Sequence, residues 1–137
     1  MRALWSGAAL LLGACAGVAA AAGGADALGR DLAAYAQASC FAAQAQPYLR
    51  EQGERWAGAV VERGAGSPED WTPIADAVRA ELKRSGVQQG RPEKPSDPAV
   101  ALPVMTCGEI TDAPAVRAAT ARARAALAGA YRGRKAG

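Results

Sequence analysis

Histidine is absent from the 137-residue sequence, and aromatic residues make up only 5% of it. The absence of histidine removes the commonest general base and a common metal ligand. The sequence also lacks a Gly-rich phosphate loop, a Cys-x-x-Cys pair, a Gly-x-Ser-x-Gly nucleophile motif and an Asp-x-Asp-x-Asp loop. We therefore expect no catalytic residues, no metal site and no cofactor, and we do not expect an enzyme.

Large apolar side chains are also scarce, although half of the residues count as hydrophobic. Alanine accounts for 37 residues, against ten Leu, eight Val, two Ile and one Phe. Alanine favours helix but buries little apolar area per residue. The sequence contains no alternating run of β-branched residues and no Asn-Gly or Asp-Gly turn, so no strand is predicted. This composition predicts a single all-α domain, a small bundle of four or five helices.

The amino-terminal residues predict export. Met1-Arg2 is followed by an uncharged stretch that ends before Asp26, with a short apolar run and then small residues, as in a secretory signal peptide. We expect the signal peptide to span residues 1–22 and the mature, periplasmic domain to span residues 23–137. An alternative stays open, because Leu12-Gly13-Ala14-Cys15 resembles a lipobox. A lipoprotein signal over residues 1–14 would leave Cys15 lipidated and the domain tethered to a membrane.

The other two cysteines, Cys40 and Cys107, belong to the mature domain. In an oxidising compartment an even pair of cysteines indicates a disulfide. The alternative is two free thiols or a reactive one, but no histidine is present to activate a cysteine nucleophile. We expect the disulfide, which should contribute about 4 kcal/mol by restricting the unfolded chain.

Apolar spacing predicts two helices in the first half of the domain. The first helix carries Cys40 on or beside its apolar face and ends or kinks at Pro47. The second helix ends in Arg63-Gly64, where we expect a left-handed cap. Its predicted face consists of Leu49, Gly53, Trp56 and Val60.

Three further helices are predicted. The third begins at Ser67-Pro68-Glu69-Asp70, with an N-cap serine and a proline in the first turn, and stops at Gly86. A short helix presents Cys107 to the core, and a last helix runs from about Asp112 to about Tyr131. Their predicted core positions are Trp71, Ile74, Ala75, Val78 and Leu82, then Leu102, Met105, Cys107 and Ile110, and finally Val116, Ala119, Ala123, Leu127 and Tyr131.

The segment 86–103 is rich in proline, which makes helix unfavourable there. Long loops inside compact domains tend to be functional or disordered. The charged residues between the prolines are therefore candidates for contacting a partner. These residues are Arg91, Glu93, Lys94 and Asp97.

Charge is distributed unevenly along the chain. Residues 26–112 carry thirteen acids and nine bases, whereas residues 113–137 carry six bases and no acid. This basic last helix, with its tail 132–137, could bind anionic lipid, lipopolysaccharide or an acidic protein patch. The simpler interpretation, which we prefer, is a solvated helix whose positive charge suits its carboxyl end. We expect no nucleic acid partner, because no aromatic residues alternate with these bases.

A family resemblance spans roughly residues 28–128. It rests on Tyr35 with Ala38-Ser39-Cys40, on the segments Trp56–Gly64 and Trp71–Leu82, and on Cys107-Gly108-Glu109-Ile110. The sequence resembles the small periplasmic immunity proteins that neutralise type VI secretion amidase effectors of the fourth class. It departs from them after the second cysteine, where a His-Ser pair is frequent and this chain has Thr111-Asp112-Ala113.

The resemblance implies a homodimeric all-α protein that binds a secreted cell-wall amidase and plugs its active-site cleft. The segment 86–103 is then the candidate plug, chosen for its length and composition. The alternative from a different class is a small envelope lipoprotein or structural module without inhibitory activity, associated with a membrane only if Cys15 is lipidated.

Overall fold

We analysed a computed structural model, which describes residues 16–134, with side chains from Ala27 onward. This part of the chain contains five α-helices: α1 (Ala16–Ala42), α2 (Pro47–Arg63), α3 (Thr72–Ser85), α4 (Pro103–Glu109) and α5 (Pro114–Gly133). Short 3-10 turns, Pro68–Asp70 and Ile110–Asp112, precede α3 and follow α4. The predicted all-α bundle is confirmed. Among the described residues, no helix is both long enough and apolar enough to span a bilayer.

Helix α1 is the centre of the bundle and packs against the other four helices. Its buried residues Leu28, Leu32, Ala36 and Cys40 recur every four positions, so they form one stripe along the helix. The largest buried side chain is Trp71, whose ring lies 5.3 Å from that of Tyr35 on α1. The single core therefore forms around α1.

The last helix packs as its sequence pattern predicts. All five positions of the predicted α5 stripe, from Val116 to Tyr131, are buried. Two of them are alanines, Ala119 and Ala123, which allow the helix to approach its neighbours closely. On α3, the predicted Trp71, Ile74, Ala75 and Val78 are likewise buried, while Leu82 is partly buried.

The junction between α1 and α2 differs from its prediction. Helix α1 ends at Ala42, and Pro47 is the first residue of α2 rather than the end of α1. Proline suits the first position of a helix, where its missing N–H leaves no hydrogen bond unmade. The prediction of a helix end at Pro47 was therefore wrong, and the turn between the helices is formed by residues 43–46.

The left-handed glycine after α2 was also misplaced. Gly64 has a φ of −72°, whereas Gly66 has a φ of +90°. A Cβ on Gly66 would lie 2.3 Å from Leu127 Cδ2, so both the backbone conformation and the packing favour glycine there. Gly86, with a φ of +72°, ends α3 where the sequence predicts.

Helix α3 starts in two stages. Ser67 is the N-cap of the 3-10 turn Pro68–Asp70, and its backbone N–H donates to Asp70 Oδ2 at 3.3 Å. The α-helix proper then begins at Thr72. The capping residues predicted from the sequence are thus correct, although the first turn is tighter than an α-helix.

The predicted disulfide joins Cys40 on α1 to Cys107 on α4, with Cα atoms 5.4 Å apart and 67 residues of sequence separation. Both cysteines are fully buried. Gln44 lies over the bond, with its Nε2 donating to the Cys40 carbonyl at 3.0 Å and lying 3.5 Å from Cys107 Sγ. The disulfide is therefore shielded from solvent by an ordered amide.

A buried polar cluster joins α1, α2 and α5. Asp31 is only 7% exposed. It accepts a hydrogen bond from the Tyr131 hydroxyl at 2.6 Å and one from Arg63 Nε at 3.0 Å. A second cation, Arg134, lies 3.9 Å from the same carboxylate. A buried carboxylate is tolerated when it is paired in this way.

Candidate binding surface at the hairpin

The proline-rich segment forms a β-hairpin rather than a loop without strands. Strand β1 (Gln89–Gly90) pairs antiparallel with β2 (Val100–Ala101), with Gln89 opposite Ala101 and Gly90 opposite Val100. No strand is predicted from the sequence, because strands of two residues are too short to show an alternating pattern. The hairpin follows α3 in the chain and leads directly into α4.

Hydrogen bonds fix the base of the hairpin to α4. The Leu102 N–H donates to the Gln88 carbonyl at 2.8 Å, and the Gln88 N–H donates to Thr106 Oγ1 at 2.9 Å. The Gln88 side chain donates to Glu109 Oε2 at 2.8 Å. Thr106 is itself buried beside Cys107. The base of the hairpin is thus attached to the helix that the disulfide holds against α1.

The four charged residues predicted as partner contacts all lie in the loop between the two strands. Arg91, Glu93, Lys94 and Asp97 are exposed. The loop contains one tight turn, in which the Asp97 N–H donates to the Lys94 carbonyl at 3.0 Å. Within residues 27–134 none of these four side chains forms an ion pair, so their charges are free to meet a partner.

Three large apolar side chains are exposed where the hairpin joins α4. Val100 is 60% exposed, Val104 is 66% exposed and Met105 is 48% exposed. Exposed apolar residues that lie close together often mark an interaction surface. We call these three residues together with the loop 91–99 the hairpin surface.

Met105 corrects one sequence prediction. The sequence pattern grouped it with Leu102, Cys107 and Ile110, but Cys107 and Thr106 occupy the buried side of the short helix α4. At about 100° per residue, a position two residues before Cys107 points to the other side. The predicted orientation of Cys107 toward the core is therefore itself incompatible with a core position for Met105.

A small cleft lies elsewhere, between α1, α2 and α3. It has a volume of about 370 Å³, and half of its lining residues are alanines; the others are Tyr35, Ser39, Glu54 and Arg79. Burial raises the pKa of Tyr35 above its ordinary value. Among the described side chains, no cluster of three or more Cys, Asp or Glu residues is suited to hold a metal ion.

The basic residues of the last helix are mostly solvated. Arg117, Arg122, Arg124 and Arg132 are exposed on α5. Arg134 differs, because its guanidinium lies over the Tyr131 ring at 5.0 Å. The rest of the predicted tail, residues 135–137, lies outside the described residues, as do Cys15 and most of the predicted signal peptide.

Comparison of the chain with family models, with curated proteins and with solved structures finds no match.

Proposed function

We propose that the protein is a periplasmic immunity protein that binds a peptidoglycan-amidase effector and blocks its active-site cleft with the hairpin. The observation that carries the proposal is the attachment of an exposed, charged loop to a disulfide-linked helix through Gln88 and Thr106. The family resemblance supplies the class of partner.

A plug of this kind benefits from a fixed base. Ordering a loop at the moment of binding costs about 0.5–1.5 kcal/mol for each immobilised side chain. The hydrogen bonds at Gln88 and Leu102 already order the ends of this loop in the free protein. The hairpin can therefore enter a cleft with less loss of conformational entropy than a free loop of the same length.

The hairpin surface also has the composition of an interface. Val100, Val104 and Met105 supply apolar area that a partner would bury, and the centre of an interface supplies most of the binding energy. The charged residues of the loop directly precede this apolar patch in the sequence, and charged residues at the rim of an interface mainly set specificity and association rate.

The test is inhibition of peptidoglycan hydrolysis. A fourth-class amidase effector from the source organism is mixed with the mature chain, and release of soluble muropeptides is measured. We expect complete inhibition near an equimolar ratio. Replacing residues 91–99 with Asn-Gly, a turn that suits two-residue hairpins, should abolish inhibition while Gln88, both strands and the helical circular dichroism are retained.

Arg122→Glu provides the matched control, because Arg122 is exposed on α5 and lies outside the hairpin surface. This variant should inhibit as the unmodified chain does. Full inhibition by the shortened hairpin would contradict the assignment of the plug, and no inhibition by the unmodified chain would contradict the proposed function.

Export is tested separately by mass spectrometry of the mature amino terminus. A free terminus close to residue 23 supports the periplasmic immunity protein. An acylated Cys15 would instead support the envelope lipoprotein. Light scattering of the same material tests the homodimer that the resemblance implies.

A further inference from the structure

A second cleft, which we call the hairpin groove, runs beside the base of the hairpin. It has a volume of about 520 Å³ and lies between the turn that follows α1, helix α3, strand β2 and the first residue of α4. It shares Ala43 and Arg79 with the smaller cleft between α1, α2 and α3. The two clefts are therefore adjacent, and the hairpin groove borders the base of the hairpin at Ala101.

The charge of the hairpin groove is one-sided. Arg79 and Lys83 line it, and no acidic residue does. Acids outnumber bases thirteen to nine in residues 26–112, so a groove lined by bases alone departs from the composition of that part of the chain. Arg79 pairs with Asp76 on the same helix. Lys83 has no ion-pair partner within the described part of the chain, so its charge is available to a ligand.

The remaining lining suits a polypeptide. Leu82 and Ala101 provide an apolar wall, and Gln46 contributes an exposed amide. Gln46 is the N-cap residue of α2, yet its side chain makes no capping hydrogen bond. An extended peptide presents apolar side chains and backbone amides together, and a peptide with acidic side chains would also pair with Lys83 and Arg79.

We propose that the hairpin groove binds an acidic, partly apolar, extended segment of the partner protein whose active site the hairpin plugs. The inference rests on the proposed function for the identity of that partner. The groove widens the interface beyond the loop, and its positive charge selects for acidic residues close to the partner's cleft.

The test uses the full mature chain and fluorescein-labelled peptides in which Leu alternates with Asp, with Asn or with Lys. Binding is followed by fluorescence anisotropy. We expect the Asp peptide to bind more tightly than the Asn peptide and the Lys peptide not to bind. Lys83→Glu should weaken the Asp peptide about fivefold or more, since it replaces an attraction by a repulsion, and Lys83→Gln should weaken it less.

Arg122→Glu makes the same change of charge outside the groove and should leave the affinity within about twofold, as expected for an exposed charge that makes no contact with the peptide. Equal binding of the Asp and Asn peptides, or equal weakening by Lys83→Glu and Arg122→Glu, would overturn the groove proposal. Peptide binding without amidase inhibition would overturn the proposed function alone. Inhibition with no effect of Lys83→Glu on the Asp peptide would overturn the groove alone.

Discussion

Asp31 shows how one buried charge organises the domain at the scale of single residues. Its carboxylate receives hydrogen bonds from Tyr131 and Arg63, which lie 100 and 32 residues away in the sequence. A buried carboxylate without partners would destabilise the fold by several kcal/mol. The cluster therefore requires α1, α2 and α5 to be in place together.

Tyr131→Phe tests this cluster through pH. Burial, and then the hydrogen bond to Asp31, raises the pKa of Tyr131 above its ordinary value. A raised pKa stabilises the folded state below about pH 10, where unfolded tyrosine is protonated, and this stabilisation is lost as pH rises further. We expect the variant to lose about 1–2 kcal/mol at pH 7 and to have a shallower decline of stability above pH 10, measured by urea denaturation.

Tyr35→Phe is the control for the alkaline slope. Burial also raises the pKa of Tyr35, so this variant should reduce the slope too, but without loss of the Asp31 hydrogen bond. If Tyr131→Phe and the unmodified chain declined in parallel above pH 10, the hydroxyl would not be protected by the cluster.

The two partners of the Tyr131–Asp31 pair differ in how visible they are in the sequence. Tyr131 fits the apolar spacing of α5 and is predicted as a core position. Asp31 is not predicted as a core position. Apolar periodicity indicates which face of a helix a residue occupies, but it cannot show that a hydroxyl 100 residues later will form a hydrogen bond with a buried carboxylate.

At the scale of elements, the crossing of α1 and α2 depends on a missing side chain. A Cβ on Gly53 would lie 2.1 Å from the Ala42 nitrogen and 2.7 Å from the Ala38 carbonyl oxygen. These are backbone atoms, so the contact can be relieved only by moving one helix away from the other.

Gly53→Ala should therefore destabilise the domain by about 3 kcal/mol or more, at the upper end of the cost of overpacking. Gly58→Ala is the matched control on the same helix, since a Cβ there meets nothing within 4 Å, and it should stabilise by about 0.5–1 kcal/mol through helix propensity. Thermal denaturation of both variants and the unmodified chain measures these two changes in the free energy of unfolding. A similar stability for the two variants would show that the helices do not cross this closely.

The hairpin depends on one hydroxyl from α4. Thr106 Oγ1 accepts from the Gln88 N–H and donates to the Leu102 carbonyl at 3.0 Å, so it bridges both ends of the hairpin. Thr106→Val keeps the shape and removes the bridge. We expect the free energy of unfolding to fall by about 1–2 kcal/mol and amide hydrogen exchange at Gln88 to become faster. Amides in α5 should lose only the protection that corresponds to this fall in global stability. Unchanged exchange at Gln88 would mean that the base of the hairpin is held by other contacts.

Local sequence signals predicted the ends of helices correctly where the folded chain uses the same residues as caps. Ser67-Pro68 and Gly86 mark α3 correctly because capping is a property of adjacent residues. The signals were misleading at Pro47 and Gly64. Pro47 begins α2 instead of ending α1, and Gly64 follows α2 without the left-handed conformation. The hairpin and its groove were not predicted, because both arise from segments that only the folded chain brings together.

At the scale of the whole molecule, the disulfide compensates for a core poor in large side chains. It closes a loop of 67 residues, which corresponds to about 4 kcal/mol of unfolded-state entropy. That contribution is a large part of the usual net stability of about 5–15 kcal/mol.

Replacing both cysteines with serine should lower the melting temperature by roughly 15–25 °C, which is the shift expected for about 4 kcal/mol in a domain of this size. Differential scanning calorimetry of the oxidised chain, the reduced chain and the double variant provides the comparison. A fall of one or two degrees would show that the Ala-rich core is stable without the bond.

The position of the disulfide in the sequence also determines what happens when the chain is cut by a protease. Helices α2 and α3 and the whole hairpin lie between Cys40 and Cys107, so they belong to a closed covalent ring. The exposed loop 91–99 is a favourable site for proteolytic cleavage, but a cut there opens the ring without releasing a fragment. A nicked chain would migrate as one species on a gel without reductant and as two species with it.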